Sequence, residues 1–339
     1  MKKHAIIPVF IPHRGCPNDC VFCNQKAITA RQPDVSPQDV RDIIETYLPT
    51  LTGRGLETIE VAFFGGSFTG LPLEEQSAFL SVASEYKREG LIDKIHMSTR
   101  PDYIDSAILD NLRSYGADTI ELGVQSFDND VLAAAGRGHT AEDVYQACAL
   151  IHKYGFELGI QLMIGLPGDS LEKCLYSARE TVRMKPSIAR LYPTVVLQDT
   201  ALFDMARAGL YHPLTTEEAV AITKEMYRIL TDAGITIIRV GLKSNDLIGG
   251  SNYHPAFRQL VEGEIAREEI EAQLRLLPDA SDGNEKRRIT VSSNGVSFSN
   301  MIGNSACNRR YFEDHYPQLS FRFTVDDSLP DMTFLVTAR

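Results

Sequence analysis

Three cysteines within eight residues are the part of this sequence best suited to chemistry. The segment Cys16-Pro-Asn-Asp-Cys20-Val-Phe-Cys23 has the spacing C-x-x-x-C-x-x-C. Three thiolates this close together can hold three corners of an iron–sulfur cubane and leave the fourth iron open to a substrate or cofactor. Zinc with His13 as a fourth ligand is one alternative, and a redox pair of Cys20 and Cys23 is another.

The overall composition is that of a globular protein, and the net charge and the other cysteines exclude some functional classes. A formal net charge of −11 over 339 residues excludes a uniformly basic nucleic-acid binder but is compatible with a local basic patch. Cys148, Cys174 and Cys307 are scattered, unlike a secreted disulfide framework, and are interpreted as inert thiols. The apolar start of the chain is broken by Pro8, and no apolar run approaches the roughly 20 residues that cross a bilayer. We expect a soluble, cytoplasmic protein without a membrane segment.

Apolar, β-rich runs alternate with stretches of helical periodicity over the first 250 residues. The predicted strands are His4–Ile11, Thr58–Phe64, Lys94–Ser98, Thr119–Val124, Glu157–Ile164 and Ala189–Val196, with a further short strand at Ile235–Val240. The predicted helices are Gln38–Leu51, Leu73–Arg88, Ile104–Ser114, Ala141–Lys153, Leu171–Met184 and Thr216–Asp232. Six strands alternating with six helices indicate parallel βαβ units whose strands are buried on both faces.

The loops favour a barrel over a doubly wound sheet, which periodicity alone does not separate. Segments rich in cysteine, glycine or polar residues stand at the carboxyl ends of the first five predicted strands. They are the cysteine segment, Gly65–Phe68, Ser98–Pro101, Gly123–Ser126 and Gly165–Gly168. Barrel active sites collect at the carboxyl ends of the strands, where these segments lie. We therefore predict an α/β fold with its functional residues at that face.

The sequence changes character after about Gly249. Glu262–Leu277 is predicted to be a charged helix, and Pro278–Arg288 is polar and turn-rich. We predict a barrel domain at residues 1–250, a helical extension and linker at 251–288, and a small α+β unit at 289–339.

With Phe22 before Cys23, the cysteine segment resembles the signature of the radical S-adenosylmethionine superfamily. In that family the amino and carboxylate groups of S-adenosylmethionine chelate the open iron of a 4Fe-4S cluster, and an electron from the cluster produces a 5′-deoxyadenosyl radical. The resemblance implies Cys16, Cys20 and Cys23 as the cluster ligands. It also implies a (β/α)6 partial TIM barrel, which agrees with the count of six units.

Further segments match the family at single positions. Gly65-Gly66-Ser67-Phe68 stands where the family has a GGE-like motif that approaches the methionine amino group. Gln125 and Arg137 match residues that contact S-adenosylmethionine. Gln161 stands where related oxidases often have an acidic residue, and Ser98 stands where a Glu is usual. The cofactor-binding residues that the resemblance implies are Phe22, Gly65, Gly66, Ser67, Phe68, Ser98, Arg100, Gln125, Arg137 and Gln161.

One branch of the family is matched more closely. Ser98–Tyr103, Glu121–Ser126, Gly136–Thr140 and Arg190–Thr194 look like the catalytic subunit of the Elongator complex, which modifies the wobble uridine of transfer RNA. The resemblance covers roughly residues 4–250, and the remaining residues show no match to that subunit's acetyltransferase domain. It implies a transfer-RNA base as substrate and an external electron donor of the flavodoxin or ferredoxin type.

Two other functions stay open at this point. Oxygen-independent coproporphyrinogen III oxidases share a looser version of the same motifs, so a tetrapyrrole is an alternative substrate. A non-catalytic protein in which the cluster is a structural or sensing element is an alternative of another class.

The C-terminal unit is predicted to run strand, helix, tight turn, helix, strand, strand. Its strands are predicted at Ile289–Ser293, Leu319–Val325 and Met332–Val336. The turn at residues 302–306 resembles the G-x-x-G loop of the KH module, which grips a nucleotide backbone, although Ala306 replaces the second glycine. Arg309 and Arg310 follow the turn and could meet phosphates. A plain α+β cap is the alternative.

Overall fold

A computed structural model of the protein describes residues 4–11, 16, 20–23, 35–242, 253–277 and 286–338. His13, the fourth zinc ligand considered above, lies outside these residues, as do residues 278–285 of the predicted linker.

Seven parallel strands form the main sheet. The strands of the described residues are β1 (His4–Ile11), β2 (Thr58–Gly65), β3 (Lys94–Thr99), β4 (Thr119–Gln125), β5 (Glu157–Ile164), β6 (Ile188–Pro193), β7 (Thr236–Val240), β8 (Arg287–Ser293), β9 (Leu319–Val325) and β10 (Leu335–Ala338). The main sheet has the order β1-β2-β3-β4-β5-β6-β7, with parallel pairing throughout. A doubly wound sheet would reverse its order part-way, and this sheet does not. The fold is therefore the partial TIM barrel that was predicted.

Helices cover the outside of this sheet. Those of the described residues are α1 (Pro37–Leu51), α2 (Leu73–Arg88), α3 (Ser106–Ser114), α4 (Asn129–Ala134), α5 (Ala141–Tyr154), α6 (Leu171–Met184), α7 (Ala201–Arg207), α8 (Thr216–Asp232), α9 (Phe257–Arg275), α10 (Phe298–Ile302) and α11 (Cys307–His315). Capping boxes at Ser36, Thr140 and Thr215 satisfy the first backbone donors of α1, α5 and α8. None of the described helices is long and apolar enough to cross a membrane.

Side chains on each strand alternate between the helix layer and the barrel interior. On β1, Ile7, Val9 and Ile11 are buried in the main core, whereas Pro8 and Phe10 line a cavity inside the sheet. This alternation follows from the two-residue period of a strand. Every second residue of a strand can therefore take part in a site inside the barrel.

Several observed elements of the barrel differ from the predicted ones. The short strand expected at Ile235–Val240 is the seventh member of the main sheet. Strand β6 ends at Pro193, which lacks a backbone donor, rather than at Val196. The short helices α4 and α7 were not predicted, because segments of six and seven residues show too little periodicity.

The C-terminal unit has the predicted order of elements. Its sheet has the order β10-β8-β9, in which β8 is parallel to β9 and antiparallel to β10. The last strand begins at Leu335, three residues later than predicted. Helix α9 joins both parts, since Val261 packs in the barrel core while Ala266 and Ile270 pack in the core of the small unit.

Candidate functional site

A cavity of about 780 Å³ lies inside the seven-stranded sheet and reaches the carboxyl ends of its strands. Cys16, Cys20 and Cys23, which follow β1, all line this cavity. Parallel strands end on the same face of a barrel, so the loops after β1 to β6 converge there. The volume is in the range of pockets that bind small molecules and cofactors.

The cysteines contact polar groups from distant parts of the chain. Ser67 Oγ lies 3.2 Å from Cys16 Sγ, and Arg137 Nη1 donates to Cys20 Sγ at 3.4 Å. The amide of Val21 donates to the carbonyl of Ala135, which ties the segment to the end of α4. Among the described side chains, no three His, Cys, Asp or Glu residues converge as ligands of one metal ion do. A cubane requires no such convergence, because each cysteine binds a different iron.

Gly65 brings the end of β2 against the end of β1, immediately before the cysteine segment. Its φ is +112°, and a Cβ atom here would lie 2.4 Å from the carbonyl oxygen of Ile11. The same oxygen accepts a hydrogen bond from the amide of Gly66 at 3.2 Å. Only glycine permits both this φ and this approach. The turn therefore fixes the point at which the cysteine segment leaves the sheet.

Strand β4 ends in an irregularity between Gly123 and Gln125 that aims side chains into the cavity. Gln125 has a φ of +70°, a conformation that costs a non-glycine residue on the order of 1 kcal/mol. Its Oε1 accepts a hydrogen bond from Gln161 Nε2 at 3.1 Å. Arg137 Nη2 donates to the Gly123 carbonyl at 2.6 Å. Bulges that re-aim side chains in this way are common next to active sites.

Arg100 is almost fully buried but lines the cavity. Its Nε and Nη2 donate to the Asp102 carboxylate at 2.9 and 2.7 Å, and Nη2 also donates to the Arg137 carbonyl. Burial lowers the pKa of Arg100, but Asp102 and the charges of Cys20 and Cys16 outweigh it and raise the pKa. Within the described structure, Nη1 is buried without a hydrogen-bond partner. A buried donor of this kind is costly unless a ligand pairs with it.

Four buried ionisable side chains, Glu60, His96, Glu121 and Arg190, lie together inside the sheet, and the last two line the cavity. His96 Nδ1 lies 3.1 Å from Glu60 Oε1, and His96 Nε2 lies 3.5 Å from Glu121 Oε2. Arg190 Nε donates to the same Glu121 oxygen at 2.7 Å. The Arg190 guanidinium carbon also lies 4.9 Å from the ring centroid of Phe64, on β2. Arg190 thus reaches across the interior from β6 and forms part of the cavity lining.

All four of these groups are charged at neutral pH. Burial lowers the pKa of His96, but the nearby carboxylates of Glu121 and Glu60 outweigh it and raise the pKa to about 9. Burial raises the pKa of Glu60, but hydrogen bonds from His4 and His96 outweigh it and lower the pKa to about 2. The pKa of Glu121 is also lowered, since His96 and Arg190 outweigh its burial. The two positive and two negative charges compensate one another.

Most of the sequence-predicted site residues meet in this one cavity. Those that line it are Cys16, Cys20, Phe22, Cys23, Gly65, Gly66, Ser67, Ser98, Arg100, Gln125, Arg137 and Gln161. Phe68 is not among them, because its buried ring packs against Phe63 with the centroids 4.9 Å apart. The cavity is also lined by Glu121 and Arg190, which begin two of the segments that match the family, and by Arg239; none of the three was predicted as a site residue. The available signal was a charged residue inside an apolar parallel strand.

Comparison with known families decides the class of the protein. Residues 10–180 match the model of the radical SAM superfamily. The chain belongs to the radical SAM superfamily. Residues 186–267 match the C-terminal domain model of radical SAM proteins. The sequence-based expectation of a radical SAM enzyme is confirmed at the level of the superfamily.

This radical SAM protein is similar in sequence to curated proteins that carry two different names. A "tRNA uridine(34) acetyltransferase" of Methanocaldococcus jannaschii is 27% identical over 292 residues, which are 72% of this chain and 54% of the relative. "Elongator complex protein 3" of Homo sapiens is 26% identical over 297 residues, with the same coverage of 72% and 54%. The chain spans about half the length of the curated relatives it matches.

A solved structure resembles the radical SAM fold seen here. The archaeal Methanocaldococcus infernus Elp3 with an N-terminal deletion superposes with a TM-score of 0.64 at 22% identity, covering 79% of this chain and 64% of that chain. This similarity supports the fold assignment.

Proposed function

We propose that this radical SAM protein holds a 4Fe-4S cluster on Cys16, Cys20 and Cys23, cleaves S-adenosylmethionine reductively, and acts on a base of transfer RNA. The observation that carries the proposal is the meeting of three cysteine thiols and the guanidinium groups of Arg100 and Arg137 in one cavity. An electron donor of the flavodoxin or ferredoxin type would supply the electron.

The donor set around the cysteines fits an iron–sulfur cluster. Arg137 contacts Cys20 Sγ and Ser67 contacts Cys16 Sγ, so N–H and O–H groups face the sulfurs. Hydrogen bonds to the sulfurs and restricted exposure to solvent are the means by which proteins tune such clusters.

The groups beside the cysteines also fit S-adenosylmethionine. The buried Nη1 of Arg100 is a charged donor suited to the methionine carboxylate, for which the resemblance implies Arg137 as a further partner. The side-chain amides of Gln125 and Gln161 supply donors and acceptors for the amino group and the ribose hydroxyls. The backbone turn at Gly65 and Gly66 lets a ligand approach closely.

A cluster held by Cys16, Cys20 and Cys23 would supply one electron, and S-adenosylmethionine held beside it would supply the radical chemistry that removes a hydrogen atom from the substrate. The role of the chain itself would be to hold the cofactor against the cysteines and to keep its carboxylate paired with Arg100.

Transfer RNA is proposed as the substrate because curated relatives carry names for transfer-RNA uridine modification. The proposal assigns the chemistry to the barrel domain at residues 1–250 and part of the RNA contact to the unit at 289–339, which follows the helical extension and linker at 251–288. Arg309 and Arg310 are exposed on α11 of that unit, and Arg309 pairs with Glu313 at 2.9 Å. Exposed arginines of this kind suit phosphate contacts.

A tetrapyrrole is the second candidate substrate, because Arg190 and Arg239 line the cavity and guanidinium groups pair with propionates. Two observations favour RNA. Arg190 is already paired with Glu121, so of these two guanidinium groups only that of Arg239 is left for a propionate, whereas a tetrapyrrole of this kind carries several. The cavity must also hold S-adenosylmethionine, which leaves room for a nucleotide rather than a macrocycle. A shift of porphyrin absorbance on mixing with the protein would instead support the tetrapyrrole.

The proposed function is tested with anaerobically reconstituted protein. Iron and sulfide are restored, and dithionite and S-adenosylmethionine are added. We expect 5′-deoxyadenosine, measured by liquid chromatography and mass spectrometry. Its absence from protein with an intact cluster would contradict the radical mechanism. Comparing transfer-RNA nucleosides from cells with and without the protein then identifies the modified base.

Replacing Gly65 by alanine is expected to weaken S-adenosylmethionine binding at least about ten-fold and to reduce the free energy of unfolding by more than ~2 kcal/mol. The added methyl would meet the backbone oxygen of Ile11, which cannot move without shifting the cysteine segment. Urea unfolding and calorimetric titration measure the two effects.

Gly53 provides the matched control for this substitution. It has a φ of +77°, but nothing lies within 4 Å of its Cβ position. Gly53→Ala should cost only about 1 kcal/mol and leave binding unchanged. Equal effects of the two substitutions would show that the turn at Gly65 does not position the ligand.

A further inference from the structure

The lining of the cavity carries positive charge that the proposed cofactors do not fully use. Its charged side chains besides the cysteines are Arg100, Glu121, Arg137, Arg190 and Arg239. Arg100 and Arg190 already pair with carboxylates of the chain. No carboxylate of the described residues contacts Arg239, whose Nε donates to the Gly241 carbonyl at 3.1 Å. In a chain of net charge −11, a cavity with such a guanidinium is built to receive an anion.

An aromatic ring is exposed in the same cavity. Phe10 lines the cavity from β1 and is 51% exposed. Its neighbour Phe64 lies with its ring centroid 6.1 Å away and contacts the Arg190 guanidinium. An aromatic ring that keeps half its surface in water on the inner side of a strand offers a face for stacking. Nucleobases stack on such rings with little dependence on sequence.

The two side chains stand on the two outer strands of the sheet. Phe10 is on β1 and Arg239 is on β7, and among the described strands no ladder of hydrogen bonds joins β1 to β7. In register, Arg239 is the partner of Arg190 on β6. Both residues therefore border the side on which the partial barrel is open and also reach the cavity. A strand of nucleic acid entering from that side would meet both.

We propose that Phe10 and Arg239 form the binding subsite for one unstacked nucleotide of an RNA strand, in which Phe10 stacks on the base and Arg239 pairs with an adjacent phosphate. The inference rests on the proposed function, because it places the substrate beside the cysteines. Enzymes that act on a base need it withdrawn from its stack, which exposes both groups at once.

The charge contact is tested by the salt dependence of RNA binding. The probe is an unmodified transfer-RNA transcript with uridine at the wobble position, bound to the full-length reconstituted protein at several salt concentrations. Losing one phosphate contact in Arg239→Ala should reduce the slope of log affinity against log salt by about 0.7 to 0.9. Arg239→Lys should restore the slope.

The stacking contact is tested with a second RNA that is abasic at the wobble position. Phe10→Ala should weaken binding of the uridine-containing transcript about ten-fold to a hundred-fold. On the abasic RNA the same substitution should have no further effect, because the ring has no base to stack on. Phe10→Tyr should bind as the unaltered protein does.

Two substitutions of exposed residues on the outer helices serve as controls. Arg179→Ala on α6 removes an arginine outside the cavity and matches Arg239→Ala. Tyr47→Ala on α1 removes an aromatic ring outside the cavity and matches Phe10→Ala. If Arg239→Ala and Phe10→Ala bind both RNAs as these controls do, the subsite is wrong. The formation of 5′-deoxyadenosine by the unaltered protein is measured separately. Cleavage without the predicted binding effects overturns the subsite alone, whereas an intact cluster without cleavage overturns the proposed function.

Discussion

Replacing Cys20 by alanine is expected to remove the iron–sulfur cluster and to lower 5′-deoxyadenosine formation by at least about a thousand-fold. Cys20 is buried in the cavity wall, and its Sγ accepts a hydrogen bond from Arg137. Two remaining thiolates cannot hold three corners of a cubane. The measurements are iron and sulfide content, the visible absorbance of the cluster, and 5′-deoxyadenosine after reduction.

Cys307→Ala is the matched control, because Cys307 is exposed at the start of α11. We expect it to retain both iron and cleavage. Cys148 and Cys174 are no substitutes as ligands, because burial raises the pKa of Cys148 to about 12 and also raises that of Cys174. Full iron content in Cys20→Ala would contradict the assignment of Cys20 as a cluster ligand.

Replacing all three cysteines by alanine separates a structural cluster from a catalytic one. A chain that fails to fold without them would favour a structural cluster.

The second large effect is expected at His96. Replacing His96 by leucine should reduce the free energy of unfolding by about 3 kcal/mol, because it leaves the buried Glu60 with only the partly exposed His4 as its partner and removes one partner of Glu121. Urea unfolding at pH 6 measures the loss. His152→Ala is the control, since His152 is exposed on α5 and losing its contact between Nε2 and the Met184 carbonyl, at 2.8 Å, should cost no more than about 1 kcal/mol.

The same residue makes stability depend on pH with a defined sign. The pKa of His96 is raised from 6.5 to about 9 in the folded chain, which corresponds to about 3 kcal/mol. This contribution is present in full below pH 6.5, and it is lost as the pH rises through 9. The pKa of Glu60 is lowered from 4.5 to about 2, so its contribution is present above pH 4.5 and lost as the pH falls through 2.

Urea unfolding between pH 6 and pH 9.5 tests whether deprotonation of His96 causes the loss of stability at high pH. The unaltered protein should lose stability over that range, and His96→Leu should lose less. A double substitution of His96→Leu and Glu60→Gln should recover part of the stability, because a neutral amide replaces a carboxylate that has lost its buried partner and keeps only the partly exposed His4. Parallel pH profiles of the unaltered protein and His96→Leu would show that His96 is not the group responsible.

The cysteine segment was predictable because its chemistry is local. Three thiolates within eight residues indicate a metal or cluster site, and the residues that follow successive strands favour a barrel over a doubly wound sheet. The sequence also predicted a functional turn at Gly65 and Gly66, but it did not show why glycine is required there. The approach of Gly65 to the Ile11 carbonyl depends on how β1 and β2 pair. Phe68 was predicted as a site residue because it follows Gly65, Gly66 and Ser67 in sequence. In the structure its ring lies in the core and packs against Phe63.

The sequence by itself predicted the partial barrel from the residues that follow its strands, and it predicted the family from the resemblance of the cysteine segment. The assignment of Cys16, Cys20 and Cys23 as cluster ligands stays a prediction. Only the tertiary structure decided what else the cavity contains. Phe10, Glu121, Arg190 and Arg239 are far apart in the chain and meet because parallel strands in register turn every second residue inward. The sequence shows three of these residues, Glu121, Arg190 and Arg239, only as charged side chains within apolar strands, and their partners across the barrel are known only from the tertiary structure.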